Sequence, residues 1–135
     1  MVFDARMLAL ANLIIKVLLI IVVSGAVYHA KKKNLGIHCT IVRSAVLVQI
    51  AAIAGVMLPS LLGYMKITNT GLIYIEMLSH HTIGLAVIAL WVYINLIYLG
   101  IVNTRIKIVT LMRLALLLWI LGLLLGLRMY MQIYL

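Results

Sequence analysis

Acidic residues are nearly absent from this sequence, which has two Asp and Glu against eleven Lys and Arg. Charged residues make up 10% of the 135 residues, while 67% are hydrophobic. A soluble globular protein is excluded, because its water-facing surface could not be built from so few polar side chains. The chain also lacks a carboxylate pair with catalytic spacing, a nucleophile-base pair and a phosphate-binding loop, so we predict that it is not an enzyme.

Cysteine is equally scarce, with Cys39 as the single thiol. One cysteine excludes a disulfide within the chain and any thiolate metal cluster built by one chain. The net charge is +9, and most of the Lys and Arg residues lie in short connections between apolar runs. These residues are not interleaved with aromatic residues, as they would be in a nucleic-acid-binding surface. We therefore expect the partners of this chain to be the lipid bilayer and other membrane subunits or itself, and not nucleic acid.

Four apolar runs are each long enough to cross the roughly 30 Å hydrocarbon core of a bilayer as a helix. The third run, from Gly71 to Val102, would be about 48 Å long as one continuous helix. Pro59 is expected to kink the second helix, and Asn69 or Thr70 to cap the third. We predict an all-α fold of one domain, residues 1–135, forming a four-transmembrane-helix antiparallel bundle with short loops, whose helices cover about 7–28, 38–64, 71–102 and 108–133.

Basic residues are unevenly divided between the two ends of these predicted helices. One end carries more than twice as many as the other, and the side richer in Lys and Arg is usually cytoplasmic. This pattern predicts a multi-pass protein of the cell membrane with both termini outside and the basic connections in the cytoplasm. The cytoplasmic set is Lys31, Lys32, Lys33, Arg43, Arg105, Lys107 and Arg113, and the outer set is Arg6, Lys66 and Arg128.

Glu76 is the one carboxylate inside a predicted membrane helix. Lys16 and Arg128 lie at a similar depth, roughly 8 to 14 Å below the outer surface at helical rise. A lone Lys or Arg near the bilayer centre costs about 2.5 to 3.5 kcal/mol on insertion scales, and pairing offsets part of that cost. We expect either a Lys16–Glu76 or an Arg128–Glu76 ion pair. The alternative is that the two cations extend along their stems to the membrane surface.

Histidines on the third predicted helix are candidate haem ligands, since haem in a membrane bundle is usually held by neutral imidazoles from facing helices. His80 and His81 lie about ten residues inside that helix, roughly opposite Ala54 and Gly55. The small side chains there would admit a porphyrin edge. The alternative is that small residues only let two helices touch, as Gly122 is expected to do together with Gly126 on the fourth helix.

A second pair of histidines shares the other membrane end, since His29 ends the first predicted helix and His38 begins the second. These two could ligate a metal or haem with Cys39 as a third ligand, or they are interfacial residues beside the basic turn. One haem bridging His38 and His81 is excluded, because about 20 Å or more separates them along the membrane normal. The cofactor is left unassigned, with b-type and A-type haem as the two candidates.

Residues in the third and fourth predicted helices form a pattern that extends to the head of the second and covers about residues 25–135. It comprises Tyr74, Leu78, Ser79, His81 and Ala86, then Arg113, Trp119, Gly126, Tyr130 and Tyr134, together with His38. In this pattern the chain resembles a family of small four-helix membrane proteins of unknown function, which includes a bacterial assembly factor for haem-A-containing terminal oxidases. The resemblance implies that His38 and His81 are the best ligand candidates. Where the family tends to have a His-Arg pair before the last helix, this chain has Arg105 and Lys107.

Three hypotheses for the function follow. The preferred one is a haem-binding protein or an assembly protein of a respiratory membrane complex. The second is a structural accessory subunit of a larger membrane complex, which the extreme apolarity of the chain favours. The third is a proton or cation carrier that uses Glu76, with Lys16 as the counter-charge.

Overall fold

A computed structural model describes residues 4–65 and 71–135 of the chain. Within those two ranges the regular structure is helical throughout, and four helices are long and apolar enough to cross a membrane. The predicted all-α fold class with four membrane-length helices is confirmed. The elements are α1 (Ala5–Lys31), α2 (Leu35–Ala52), a π-helical segment (Ile53–Met57), α3 (Leu58–Met65), α4 (Leu72–Tyr98) and α5 (Ile108–Tyr134).

Helix α1 begins two residues earlier than predicted, because the Asp4 carboxylate accepts a hydrogen bond from the backbone N–H of Arg6 and caps the helix. At the other end, Lys33 adopts a left-handed conformation with φ of 62°. The backbone N–H of Asn34 then bonds the carbonyl of His29, and that of Lys33 bonds the carbonyl of Ala30. This is the hydrogen-bond pattern of a Schellman motif, which usually has glycine at the left-handed position.

The second membrane helix begins at Leu35, not near His38 as predicted, and it contains a π-helical turn shortly before Pro59. Pro59 has no N–H to offer the carbonyl of Gly55, and its ring crowds that carbonyl. The preceding turn widens into the π-helical segment, in which the N–H of Leu58 bonds the carbonyl of Ile53, five residues earlier. The chain stays helical through the proline because the turn before it changes its hydrogen-bond spacing.

Helix α4 is shorter than predicted, since it ends at Tyr98 and not at Val102. Gly100 adopts φ of 73°, its N–H bonds the carbonyl of Ile97, and the N–H of Ile101 bonds the carbonyl of Leu96. A left-handed glycine followed by an apolar residue is a common helix end, so the Leu-Gly-Ile sequence carried a stop signal. At its start α4 is capped by Gly71, without a side-chain hydrogen bond. The predicted caps Asn69 and Thr70 lie outside the described residues.

The chain divides into two compact units, one containing α1 to α3 and one containing most of α4 and α5. In the first unit α1 packs on α2. The buried residues on α1 recur every three or four positions, and those on α2 have spacings of one, three or seven, as expected for one face of each helix. They are Lys16, Leu19, Val23 and Ala26 on α1, and His38, Ala45, Val46, Gln49 and Ala52 on α2.

Large apolar side chains remain exposed on all four long helices, for example Ile21, Leu47, Leu85 and Leu124. A water-soluble protein rarely leaves so many Leu, Ile and Val side chains uncovered. Hydrocarbon is a suitable solvent for such a surface, and each helix satisfies its backbone polar groups internally. Burial and helix length therefore agree with the multi-pass membrane protein that the composition predicts.

Alanine substitution at two glycines of the second unit should have different effects on stability. Gly100→Ala should lower the free energy of unfolding by about 1 to 2 kcal/mol, because an alanine at φ of 73° is strained. Gly84→Ala, inside α4, should leave it unchanged or raise it by up to about 1 kcal/mol, because the added Cβ meets nothing within 4 Å. Unfolding in detergent, followed by far-ultraviolet circular dichroism, measures both. Equal effects of the two substitutions would contradict the helix end at Tyr98.

Candidate functional site

Helices α4 and α5 meet through three contacts that set their register. The Arg128 Nη2 atom lies 3.1 Å from Glu76 Oε1. A Cβ placed on Gly126 would lie 3.0 Å from Cε1 of His80, and one placed on Gly122 would lie 3.5 Å from Cγ2 of Ile83. As the α4 number rises the α5 number falls, so the two helices are antiparallel. Gly122 and Gly126 thus lie at a helix contact, as predicted.

The Glu76–Arg128 ion pair lies near one end of this helix pair. Glu76 is four residues from the start of α4 and Arg128 six from the end of α5, or about 6 and 9 Å at helical rise. The Glu76 side chain is 17% exposed and that of Arg128 is 61% exposed. The guanidinium can therefore reach the membrane surface while it neutralises a carboxylate held mostly against protein.

The predicted ion pair between Arg128 and Glu76 is present in the second unit. Lys16 belongs to the first unit, where it is 6% exposed on the α1 face that packs against α2. Most of the Lys16 side chain is thus held against protein, and whether its ammonium group is paired or extends to the membrane surface stays a prediction.

His80 is a packing residue of the second unit. It is 5% exposed, and its ring lies against the Cα of Gly126 so closely that even a methyl group on that glycine would crowd it. Its ring also meets that of His81 edge to face, with 5.3 Å between the centroids. Glycine at position 126 thus makes room for an imidazole between the two helices.

His81 is half-buried, and its orientation is fixed by the backbone of its own helix. The Nδ1 atom lies 2.7 Å from the carbonyl oxygen of Met77, four residues earlier. A carbonyl oxygen can only accept a hydrogen bond, so Nδ1 carries the proton and the lone pair of the neutral ring is on Nε2. Histidines that bind metals commonly have this arrangement, in which one nitrogen donates to a carbonyl and the other is the ligand.

In the first unit, His38 also has a hydrogen bond between Nδ1 and a backbone carbonyl, but that carbonyl belongs to a different helix. It is 9% exposed, and its Nδ1 donates to the carbonyl oxygen of Ala26 on α1 at 2.8 Å. The same reasoning puts the lone pair of the neutral ring on Nε2. The bond also ties the beginning of α2 to the last turns of α1.

His29 lies at the end of α1, and its described contact is with a neighbouring aromatic ring. It is half-buried in the last turn of α1, and its described ring contact is with Tyr28, edge to face at 5.7 Å. Within residues 4–65 and 71–135, no three His, Cys, Asp or Glu side chains form a group that could hold a metal ion. Among the described residues, a metal site with His29, His38 and Cys39 as three ligands is therefore excluded, and the alternative of interfacial histidines beside the basic turn stays a prediction.

The histidines were predictable from the sequence as candidate ligands, whereas the two backbone carbonyls that orient His81 and His38 were not predicted. The i−4 position of Met77 relative to His81 was a usable signal, because a histidine inside a helix can reach the carbonyl one turn before it. The Ala26 carbonyl was less accessible to prediction. Predicting it as the partner of His38 requires the exact register of α1 against α2, and that register depends on the residue at which α2 begins.

The chain matches no protein-family model, no curated protein and no solved structure.

The contact between His80 and Gly126 gives a matched pair of substitutions on one helix. Gly126→Ala should lower the free energy of unfolding in detergent by about 1 to 3 kcal/mol, since its methyl group overlaps the His80 ring. Gly122→Ala makes an ordinary contact with Ile83 and should change it by less than about 1 kcal/mol. If Gly126→Ala were as stable as Gly122→Ala, the two helices would not pack in this register.

Proposed function

We propose that this chain is an integral membrane protein that binds haem through His81 and assists the assembly of a respiratory membrane complex. The observation that carries the proposal is the 2.7 Å hydrogen bond from His81 Nδ1 to the Met77 carbonyl. It orients the ring and puts the lone pair of the neutral imidazole on Nε2, the nitrogen that would be the iron ligand.

The donor set suits haem better than it suits a bare metal ion. Haem iron needs one or two axial ligands from the protein, whereas a structural zinc site needs about four. Neutral imidazoles add no charge to an apolar region, and His81 and His38 each have Nδ1 bound to a carbonyl. When bound, haem would supply one-electron chemistry or be the cargo of the assembly role.

Two contacts between α4 and α5 position His81. His80, next to it in sequence, is enclosed between α4 and α5 against Gly126, which favours a packing role over a ligand role. The Glu76–Arg128 ion pair joins the same two helices about one helical turn away along α4. These two contacts fix the rotation of α4 about its axis, and so the direction of its half-buried histidine.

Two features support an assembly role: the candidate haem ligand His81 and the apolar outer surface of the helices. Large apolar side chains are exposed on every long helix, so lipid and other membrane subunits can contact all of them. The sequence resemblance to a family that includes an oxidase assembly factor supports the same role. The structural accessory subunit and the Glu76 carrier remain the alternatives.

Haem binding can be tested by titrating the purified protein with haem b, and separately with haem A, and recording oxidised and dithionite-reduced spectra. We expect sharp reduced bands in the wild-type protein. His81→Ala should weaken haem binding at least about tenfold, because an axial ligand is lost. His29→Ala should retain the wild-type spectrum and serves as the matched control.

Unfolding measurements on the same samples separate loss of a ligand from loss of the fold. A wild-type protein without reduced bands, or a His81→Ala protein that binds haem normally, would exclude the His81 site. The accessory subunit or the carrier would then be the better hypothesis.

We further propose that the protein resides in the cell membrane with both termini outside and the basic connections in the cytoplasm. The excess of Lys and Arg in those connections supports this orientation. In a Cys39→Ser background, an impermeant thiol reagent should label Asp4→Cys on intact cells and Lys32→Cys only after permeabilisation. The reverse pattern would invert the topology.

A further inference from the structure

An apolar groove runs along one face of α5 and begins at a basic side chain. It has a volume of about 430 Å³ and is lined by Arg113, Leu116, Leu117, Ile120 and Leu121. The spacing of these residues places the groove between two parallel ridges of side chains on a single helix. From Arg113 to Leu121 it extends about 12 Å at helical rise, which is most of one bilayer leaflet of about 15 Å.

The basic end of the groove belongs to a cluster of three basic residues in the sequence, Arg105, Lys107 and Arg113. Arg105 and Lys107 precede α5 in the connection from α4, and both are exposed, as is Arg113. The chain has only two acidic residues, and one of them, Glu76, pairs with Arg128 near the opposite end of α5. The cluster therefore needs counter-charge from outside the chain.

The groove and the cluster together fit one kind of molecule, an anionic phospholipid. Arg113 is five residues from the start of α5, about 8 Å at helical rise, so its guanidinium can reach a headgroup phosphate at the membrane surface. The acyl chain of the same molecule can then follow the Leu and Ile side chains toward the bilayer centre. Phosphate is a preferred partner of arginine because the guanidinium can donate two parallel hydrogen bonds.

A second membrane helix suits this groove less well than a lipid. Close helix contacts in membranes favour Gly, Ala, Ser and Thr, which let two backbones approach. The apolar residues lining the groove are all Leu and Ile, whereas the glycines of α5, Gly122 and Gly126, contact α4. A flexible acyl chain can adapt to a surface of branched side chains without such an approach.

We infer that this face of α5 is a binding site for an anionic phospholipid, with Arg113 as the headgroup ligand and the groove as the acyl-chain contact. The site shares no residue with the proposed haem ligands. It can therefore exist whether or not haem binds to His81.

Native mass spectrometry of the full-length protein in detergent tests the site directly. The protein is titrated with phosphatidylglycerol, with phosphatidylcholine of identical acyl chains, and with inorganic phosphate. We expect phosphatidylglycerol to bind at least about fivefold more tightly than phosphatidylcholine, the factor expected from one basic residue near a membrane surface. Arg113→Gln should remove that preference and Arg113→Lys should retain most of it.

Two matched controls separate the headgroup from the groove. Arg6→Gln removes the same charge from α1 and should leave lipid binding unchanged. Leu117→Trp fills the groove but keeps Arg113, so it should weaken phosphatidylglycerol binding, whereas Leu47→Trp on α2 should not.

Three results would overturn the inference. The first is an Arg113→Gln protein that keeps the lipid preference. The second is inorganic phosphate displacing the lipid at equal concentration, which would indicate a simple anion site. The third is a wild-type dimer that dissociates in Leu117→Trp, which would indicate that a second copy of the chain occupies the groove.

Discussion

Polar side chains inside apolar helices need partners within the protein, because hydrocarbon offers none. In this chain many of them use the carbonyl one turn earlier in their own helix. His81 does so, and so do Ser24, Thr40, Ser44, Thr82 and Asn95. His38 is different, since its partner is the Ala26 carbonyl on another helix. That bond therefore holds two helices together, while the others only orient a side chain.

The helices of the two units are held together by different kinds of contact. In the first, α1 and α2 pack through Leu, Val and Ala side chains, with His38 bonded across the pair. In the second, glycines on α5 allow the close approach of α4, and an ion pair lies near one end. Small residues matter more in lipid than in water, because burial of apolar surface gives little driving force there. The His80 ring therefore contributes to helix packing through its contact with Gly126, in addition to being a polar group.

Fold class and helix number were predictable because length and apolarity alone decide which segments can cross a bilayer. Helix ends were less predictable, since single residues decide them. Lys33 adopts the left-handed conformation that usually indicates glycine, and at Gly100 the available stop signal was overlooked. The Arg128–Glu76 pair followed from counting depth along two helices. The amide of Asn95 donates to the Trp91 carbonyl of its own helix, and Gln49 Oε1 has no hydrogen-bond partner among the described residues. Sequence alone does not distinguish a bond along a helix from one across it.

The π-helical segment before Pro59 has a consequence for the pattern of the second membrane helix. A turn closed over five residues instead of four contains one residue more than an α-helical turn. Side chains beyond it are rotated by about 100° from where an unbroken α-helix would place them. The apolar periodicity of α2 therefore cannot be continued through Gly55 to identify which side of α3 faces a neighbour. In evolutionary terms, the segment is a place where the chain can gain or lose one residue while the helix itself continues.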